Sequence, residues 1–385
     1  MQRDFKINNF DLIRIVTAVL VLTNHSLSHL NIEPYWWYTI IQKFPRVPMF
    51  FVMSGYLLSA SFERNNDLKN YFTNRLLRIY PGLWACLILT VILLATIGGV
   101  NFLNIATIPW FVSQAAGLIY TPGFLQDFGY GSYNGSLWTI VVELQFYLAL
   151  PVIYYLSTLF SKRFVKNEKT ANLYFYILFG LSIALAMILK TSIPTETHTS
   201  AVAKAIKYTF LPHGYIFMTG ILLQRWRVYK SDFVFGRGLD WATIYLLCVY
   251  LIPQTGIPWI EGLKEITGLM ILAFFTISVA YSIPGLATKY LDNRDISYGV
   301  YMYHGLLLTI LVEFNMTGSV GYYILTAVLT FVLAALSYKF IEMPAMSLAK
   351  KKNKARVKGK EPSAPKGHGS KEPQSLVLAK NHQAI

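Results

Sequence analysis

The sequence predicts an all-α polytopic membrane protein of about ten transmembrane helices with both termini in the cytoplasm. Three observations lead there. Of 385 residues, 54% are hydrophobic and only 14% charged, where an ordinary globular domain is about a quarter charged. The apolar residues collect in runs close to the roughly 20 needed to cross a bilayer core of about 30 Å. The basic residues, 34 against 19 acidic ones, gather in alternate loops.

Ten runs qualify as spans: 10–30, 47–62, 79–99, 137–158, 173–190, 208–224, 240–252, 264–282, 297–314 and 320–342. The first follows Arg3 and Lys6, as the core of a signal peptide would. It lacks a small-x-small cleavage site, runs to Leu30 and contains Arg14 and His25, so it reads as an uncleaved span. The second and seventh are short. Residues 100–136 are broken by Pro109, Pro122 and the glycine-rich patch Gly129–Gly135, and are expected outside or re-entrant. With the N-terminus inside, cytoplasmic segments hold 26 of the 34 Lys and Arg and outer segments 6. A single crossing by 100–136 would invert every later loop and collapse that bias.

The formal charge of +15 would otherwise suggest a nucleic-acid partner, but ten of the basic residues lie between Lys350 and Lys380. Lys350 to Lys360 reads as a collar on the anionic leaflet. The Pro-, Gly-, Ser- and Lys-rich remainder is too polar to bury a core. The expected organisation is an integral-membrane domain over 1–345 and a basic, disordered cytoplasmic tail over 346–385, in contact with membrane lipids and with no nucleic acid. Cys86 and Cys248 each sit in an apolar run and form neither a disulfide framework nor a metal spacing; both read as small buried hydrophobes. No P-loop, dinucleotide fingerprint, paired-His zinc motif or Gly-x-Ser-x-Gly elbow is present.

Ionisable groups inside spans cost about 2.5–3.5 kcal/mol each on insertion scales and are functional candidates by default. Arg14, His25, Glu143, His304, Glu313 and Glu342 are such groups. Eleven residues separate Arg14 from His25, three turns plus only about 20°, so both leave the same face of one helix, roughly 16 Å apart along its axis. Alone, Arg14 is a snorkelling residue paired with Asp11, and His25 an interhelical hydrogen bond; together they favour a polar path through the protein. Ser54 and Gly55, in Phe50-Phe51-Val52-Met53-Ser54-Gly55-Tyr56, serve close helix packing or a site equally well. Arg75 and Arg78, three apart, suit a phosphate or phosphoanhydride, although a topological anchor is the commoner reason for such residues. Glu143 needs a partner, for which His or Arg is natural. Ser297, Tyr301 and His304 form one polar stripe on an apolar helix, and Glu342, before Pro344, reads as a capping or ion-pairing residue.

Taken in order, these segments resemble the integral-membrane acyltransferase family three, typified by bacterial O-antigen and exopolysaccharide O-acetylases. The matching features are Asp11-Leu-Ile-Arg14 with His25, the Phe-Phe-x-x-Ser-Gly-Tyr stretch at 50–56, and Arg75-x-x-Arg78-Ile-Tyr-Pro81. They continue with Ser136-Leu-Trp-Thr leading to Glu143, then Ser297-Tyr-Gly-Val-Tyr301-Met-Tyr-His304, and close on Ser337-Tyr-Lys-Phe-Ile-Glu342-Met-Pro344. The resemblance covers about residues 8–345, and the chain looks like the single-domain form, without an appended SGNH esterase domain.

The resemblance implies a multi-pass protein of the bacterial inner membrane. It implies transfer of an acyl group, in the first place acetyl, from cytoplasmic acyl-CoA to a hydroxyl of an extracytoplasmic or lipid-linked surface glycan such as O-antigen or exopolysaccharide. No metal is expected. In the family the first-span Arg and His and the Arg-x-x-Arg pair are required, which map onto Arg14, His25, Arg75 and Arg78. The three arginines are then expected to receive acetyl-CoA, with His25 as base or acyl carrier, Glu143 orienting or charging it, and Ser54, Tyr301 and His304 lining the substrate pocket. The rival readings are a transporter or flippase using the same polar path, and a subunit that passes acyl groups across without transferring them.

Overall fold

The computed structural model describes residues 3–164, 172–192, 205–291 and 294–348. Nearly all of the basic tail lies outside them. A helix stands at each of the ten expected spans: α1 (Phe10–His29), α3 (Arg46–Arg64), α4 (Leu68–Thr96), α6 (Trp138–Phe164), α7 (Leu173–Ser192), α8 (Gly214–Arg225), α9 (Gly238–Leu251), α10 (Pro258–Ala280), α12 (Ser297–Glu313) and α13 (Val320–Ser337). Shorter helices among the described residues include α2 (Trp36–Gln42), α5 (Thr107–Ala115) and α11 (Leu286–Leu291). No strand occurs among the described residues. Six of the helical segments are long and apolar enough to cross a bilayer: Phe10–His29, Leu68–Thr96, Gly135–Phe164, Leu173–Ser192, Pro258–Ala280 and Val320–Leu348. Hydrocarbon cannot satisfy backbone polar groups, so a chain this apolar folds into helices that pair their own amides.

Local chemistry sets several boundaries away from the hydropathy minima. α4 starts eleven residues before its apolar run because Asp67 caps it, accepting from the amides of Lys69 at 2.9 Å and Asn70 at 3.2 Å. Arg75 and Arg78 therefore lie within a continuous helix, two to three turns from its start, and not at a helix mouth. α13 is capped by Ser319 onto Gly321 and ends in a π-helical turn, Tyr338–Glu342. In that turn the buried Glu342 accepts from Ser337 Oγ at 2.9 Å, and among the described residues it forms no salt bridge. Between α4 and α6, the nine-residue α5 and two 3₁₀ turns, Gly123–Leu125 and Gly135–Leu137, fold back without a helix long enough to span.

The core is built by close approach at small residues. α3 and α8 cross with their backbones touching: a methyl group added at Gly55 would lie 2.1 Å from the Phe217 carbonyl oxygen, and one at Gly220 2.3 Å from that of Val52. Flanking this contact, the Phe146 and Phe217 rings stack at 4.1 Å. α12 packs on α13 where Gly299 faces Ala334, with room for no added methyl, and on α1 through Ala18, Leu22 and Val300, all fully buried. Such contacts drive helix association in lipid, where apolar side chains gain nothing by leaving hydrocarbon.

Substituting Gly220 by Val places a branched side chain against the Val52 carbonyl. The expected cost exceeds the roughly 1–3 kcal/mol of ordinary overpacking and is read as a lowered unfolding temperature of the detergent-extracted protein. Gly180, whose added methyl meets nothing, tolerates the same change.

Candidate active site

The α1–α12 contact fixes the centre of the site. His25 lies three residues beyond Leu22 on α1, and His304 four beyond Val300 on α12, so the Leu22–Val300 packing brings the two imidazoles face to face. His25 Nδ1 lies 3.1 Å from His304 Nε2, with ring centroids 5.2 Å apart. Ser136 Oγ completes a triangle, 3.2 Å from His25 Nδ1 and 3.0 Å from His304 Nε2. His304 is fully buried, and its Nδ1 lies 3.1 Å from the Val300 carbonyl one turn back.

Ser136 arrives on the second 3₁₀ turn, which is stapled along α12. Asn134 Nδ2 donates to the Met302 carbonyl at 2.7 Å, and the Tyr301 hydroxyl donates to the Ser136 carbonyl at 2.7 Å while accepting from Thr139 Oγ1 at 2.6 Å. Gly305 makes room for this: an added methyl would lie 2.2 Å from Asn134 Oδ1. One turn beyond His25, His29 stacks on Tyr130 with ring centroids 3.9 Å apart.

At the other end of α1, Arg14 donates to Asp11 at 3.0 Å and faces Asp295 at 3.4 Å. Arg78 of α4 pairs with the same Asp295 oxygen, and its guanidinium lies 5.1 Å from the Tyr298 ring centre. Asp295 also accepts from the amide and hydroxyl of Ser297. Burial pushes the Asp295 carboxyl up, but Arg78, Arg14 and Ser297 outweigh it and hold it below its ordinary value. Arg75 stands apart: no carboxylate meets it among the described residues, and its Nε is buried without a hydrogen-bond partner.

Between the two ends lies a narrow cleft of about 40 Å³, lined by Arg14 and Ser297, by Ser54, Glu143 and Tyr298, and by Tyr301 and Thr139. The Glu143 carboxylate accepts from Tyr147 and Tyr298, each at 2.6 Å. This corrects the expectation that Glu143 orients His25: both its hydrogen bonds go to tyrosines, and the imidazole is held instead by Ser136 and His304. A second correction concerns His304, expected on the pocket wall; it is fully buried and does not line the cleft, whereas Ser54 and Tyr301 line it. Of the three arginines, Arg14 and Arg78 hold carboxylate partners.

Sequence reasoning missed two residues. Ser136 stood in the Ser-Leu-Trp-Thr segment but without a partner in sequence, and Asp295, in a polar loop, gave no sign of its two arginines. No group of three His, Cys, Asp or Glu among the described residues is placed to hold a metal ion.

Fold and site together define a polytopic membrane protein with an imidazole–hydroxyl centre towards one end of α1 and an arginine group at the other. A family model described as an acyltransferase domain matches residues 7–339, and the chain belongs to that family, acyltransferase family three, as an acyltransferase enzyme. The chain is 28% identical over 360 residues to "Nodulation protein 10" of Rhizobium leguminosarum bv. viciae, covering 89% of this chain and 94% of that one. It is 27% identical over 354 residues to the "O-acetyl transferase" of Shigella phage Sf6, covering 88% and 95%. It is 26% identical over 329 residues to "Peptidoglycan O-acetyltransferase OatA" of Listeria monocytogenes, covering 77% of this chain but only 50% of that longer protein. No solved structure matches.

Asp295→Asn leaves Arg14 and Arg78 facing each other without their shared anion. Breaking a buried pair in this way costs roughly 3–5 kcal/mol. Because the folded carboxyl titrates below its unfolded value of about 3.9, its stabilisation is complete above that value and is lost as pH falls through the lower folded one. Acid unfolding of the extracted protein should therefore weaken the wild type more steeply than Asp295→Asn below pH of about 4.

Proposed function

We propose that this acyltransferase is an O-acetyltransferase of the bacterial inner membrane, moving acetyl from cytoplasmic acetyl-CoA to a hydroxyl of an extracytoplasmic or lipid-linked surface glycan, such as O-antigen or exopolysaccharide. The names of two relatives, an O-acetyl transferase and a peptidoglycan O-acetyltransferase, support the reaction. The observation that carries the reading is the pair of polar groups joined by α1: arginines at one end, an imidazole with hydroxyls at the other, roughly 16 Å apart along the helix axis.

With both termini cytoplasmic, the arginine end meets the donor. Arg75, with an unpartnered buried Nε, is the group whose donors a CoA phosphate would satisfy, and Arg14 and Arg78 hold the field around it. The phosphopantetheine arm then runs along the cleft past Ser54, Glu143 and Tyr301 and presents the thioester to His25. His25 takes the proton of the sugar hydroxyl as general base, or carries the acetyl group itself. The tyrosine-bonded Glu143 fixes the cleft's middle, and His304 holds His25 from behind. Residues 1–345 form the catalytic membrane domain, and 346–385 a basic tail on the cytoplasmic leaflet.

A second reading is an acyl-translocating subunit that leaves transfer to a partner; OatA, twice the length matched here, favours keeping it in the test. Purified protein is given labelled acetyl-CoA and acceptor glycan. Labelled glycan formed without a partner supports enzymatic transfer and eliminates both that reading and a flippase. His25→Ala should lower turnover about 10²–10⁴-fold. Arg75→Ala should raise KM for acetyl-CoA about 10- to 100-fold with little change in kcat, the loss of a hydrogen bond to a charged group. Full transfer by His25→Ala at normal expression would remove the proposal.

A further inference from the structure

We infer that Ser136 and His304 are positioning residues that lock His25 in one tautomer, with the proton on Nδ1 and a free electron pair on Nε2. The inference rests on the reading of His25 as the reacting group and supplies the atom that reacts.

The assignment follows from counting protons around the triangle. The Val300 carbonyl can only accept, so the hydrogen bond at 3.1 Å requires a proton on His304 Nδ1. His304 is fully buried, and no carboxylate is among its hydrogen-bond partners. An imidazolium there would be an uncompensated buried charge. The ring is therefore neutral and its Nε2 presents an electron pair. That pair faces His25 Nδ1 at 3.1 Å and Ser136 Oγ at 3.0 Å.

If His25 Nδ1 also carried an electron pair, two pairs would face each other at 3.1 Å with the single Ser136 proton between them. Placing the proton on His25 Nδ1 removes the conflict. It donates to Ser136 Oγ or directly to His304 Nε2, and the Ser136 proton serves His304. In the neutral ring each such arrangement leaves His25 Nε2 unprotonated. Among the described residues no group lies within hydrogen-bond reach of that nitrogen, and His25 is only partly buried.

The backbone holds the triangle rigid. Ser136 is pinned through its own carbonyl by Tyr301, its neighbour Asn134 is bonded to the Met302 carbonyl, and His304 is tied to Val300. All three anchors are on α12. The chemistry of the tautomer balances without another reactant. As the hydroxyl oxygen bonds to the acyl carbon, its proton passes to His25 Nε2. As the carbon–sulfur bond breaks, that proton passes from Nε2 to the departing thiolate. His25 Nδ1 keeps its proton throughout, and Ser136 and His304 take the increased hydrogen bonding of the transient imidazolium. A third group that fixes the tautomer of a catalytic imidazole has the same part in hydrolase triads, where a carboxylate fills it; here a neutral imidazole and a hydroxyl do.

The test reads the tautomer directly, independently of turnover. Nitrogen-15 spectra are recorded on full-length, detergent-extracted protein labelled at histidine, at alkaline pH, with His25 assigned by loss of its signals in His25→Gln. The expected result is a protonated Nδ1 and an unprotonated Nε2 in the wild type, reverting to the commoner Nε2-protonated form in His304→Phe. Kinetics should show kcat lowered roughly 10- to 100-fold in His304→Phe, as for other residues that orient a working imidazole, with KM for acetyl-CoA moved less than about twofold. Ser136→Ala, which deletes a single oxygen, gives the same split where His304→Phe does not survive extraction. A protonated Nε2 on wild-type His25 overturns the inference, as does a raised KM at unchanged kcat in these variants. Normal transfer by His25→Ala would instead overturn the reading beneath it, while the tautomer would still be measured.

Discussion

Much of the structure depends on one carboxylate between two guanidinium groups. Asp295 lies in the loop before α12, and its side chain holds Arg14 of α1 and Arg78 of α4. Charges this close to hydrocarbon are tolerated only when the protein supplies the counter-ion, so the three segments must meet there. Once they do, α1 and α12 are aligned from that end, and the Ala18, Leu22 and Val300 contact carries the alignment along both helices. The face-to-face imidazoles at the far end follow from a registration made about three turns away.

The same requirement for internal partners explains why the cleft is lined by hydroxyls. Glu143 is satisfied by two tyrosines, Tyr301 by Thr139 and the Ser136 carbonyl, and Ser136 by two imidazoles. These bonds form a nearly continuous series from the ion pairs to His25. A polar route across an apolar protein is cheapest when each group is the next one's partner, because an unpaired polar group in hydrocarbon costs several kcal/mol. At its two ends, Arg75 Nε and His25 Nε2 have no hydrogen-bond partner among the described residues.

The all-helical membrane class was legible in the sequence because hydrophobic length acts locally; each expected span contains a helix. Arg14, His25, Glu143 and His304 were legible for a related reason, since an ionisable residue stands out in an apolar run. Their partners were not. Ser136 is an ordinary serine beside a glycine, and only the folding of residues 123–137 onto α12 gives it two imidazoles. Asp295 looked like loop polarity because loops are where acids are unremarkable. Glu143 was matched with histidine on chemical grounds, whereas Tyr147 one turn away and Tyr298 from α12 reach it first. The start of α4 was missed because Asp67 extends a helix into a charged segment that hydropathy reads as a loop.

The crossing of α3 and α8 has a consequence for how the cleft can change. Gly55 and Gly220 bring two backbones into contact, and α3 carries Phe50, Phe51 and Ser54 into the cleft from beside that contact. This wall cannot retreat by sliding one helix past the other, because no slack exists at the crossing. The bore on that side is therefore adjustable only by exchanging side chains, one position at a time, on a scaffold whose main chain is fixed. A single methylene at position 54 or a truncated ring at position 50 changes the passage where a shift of the whole helix cannot. Variation in what the cleft admits is thereby confined to a few addressable positions, and the glycines that allow no variation are what confine it.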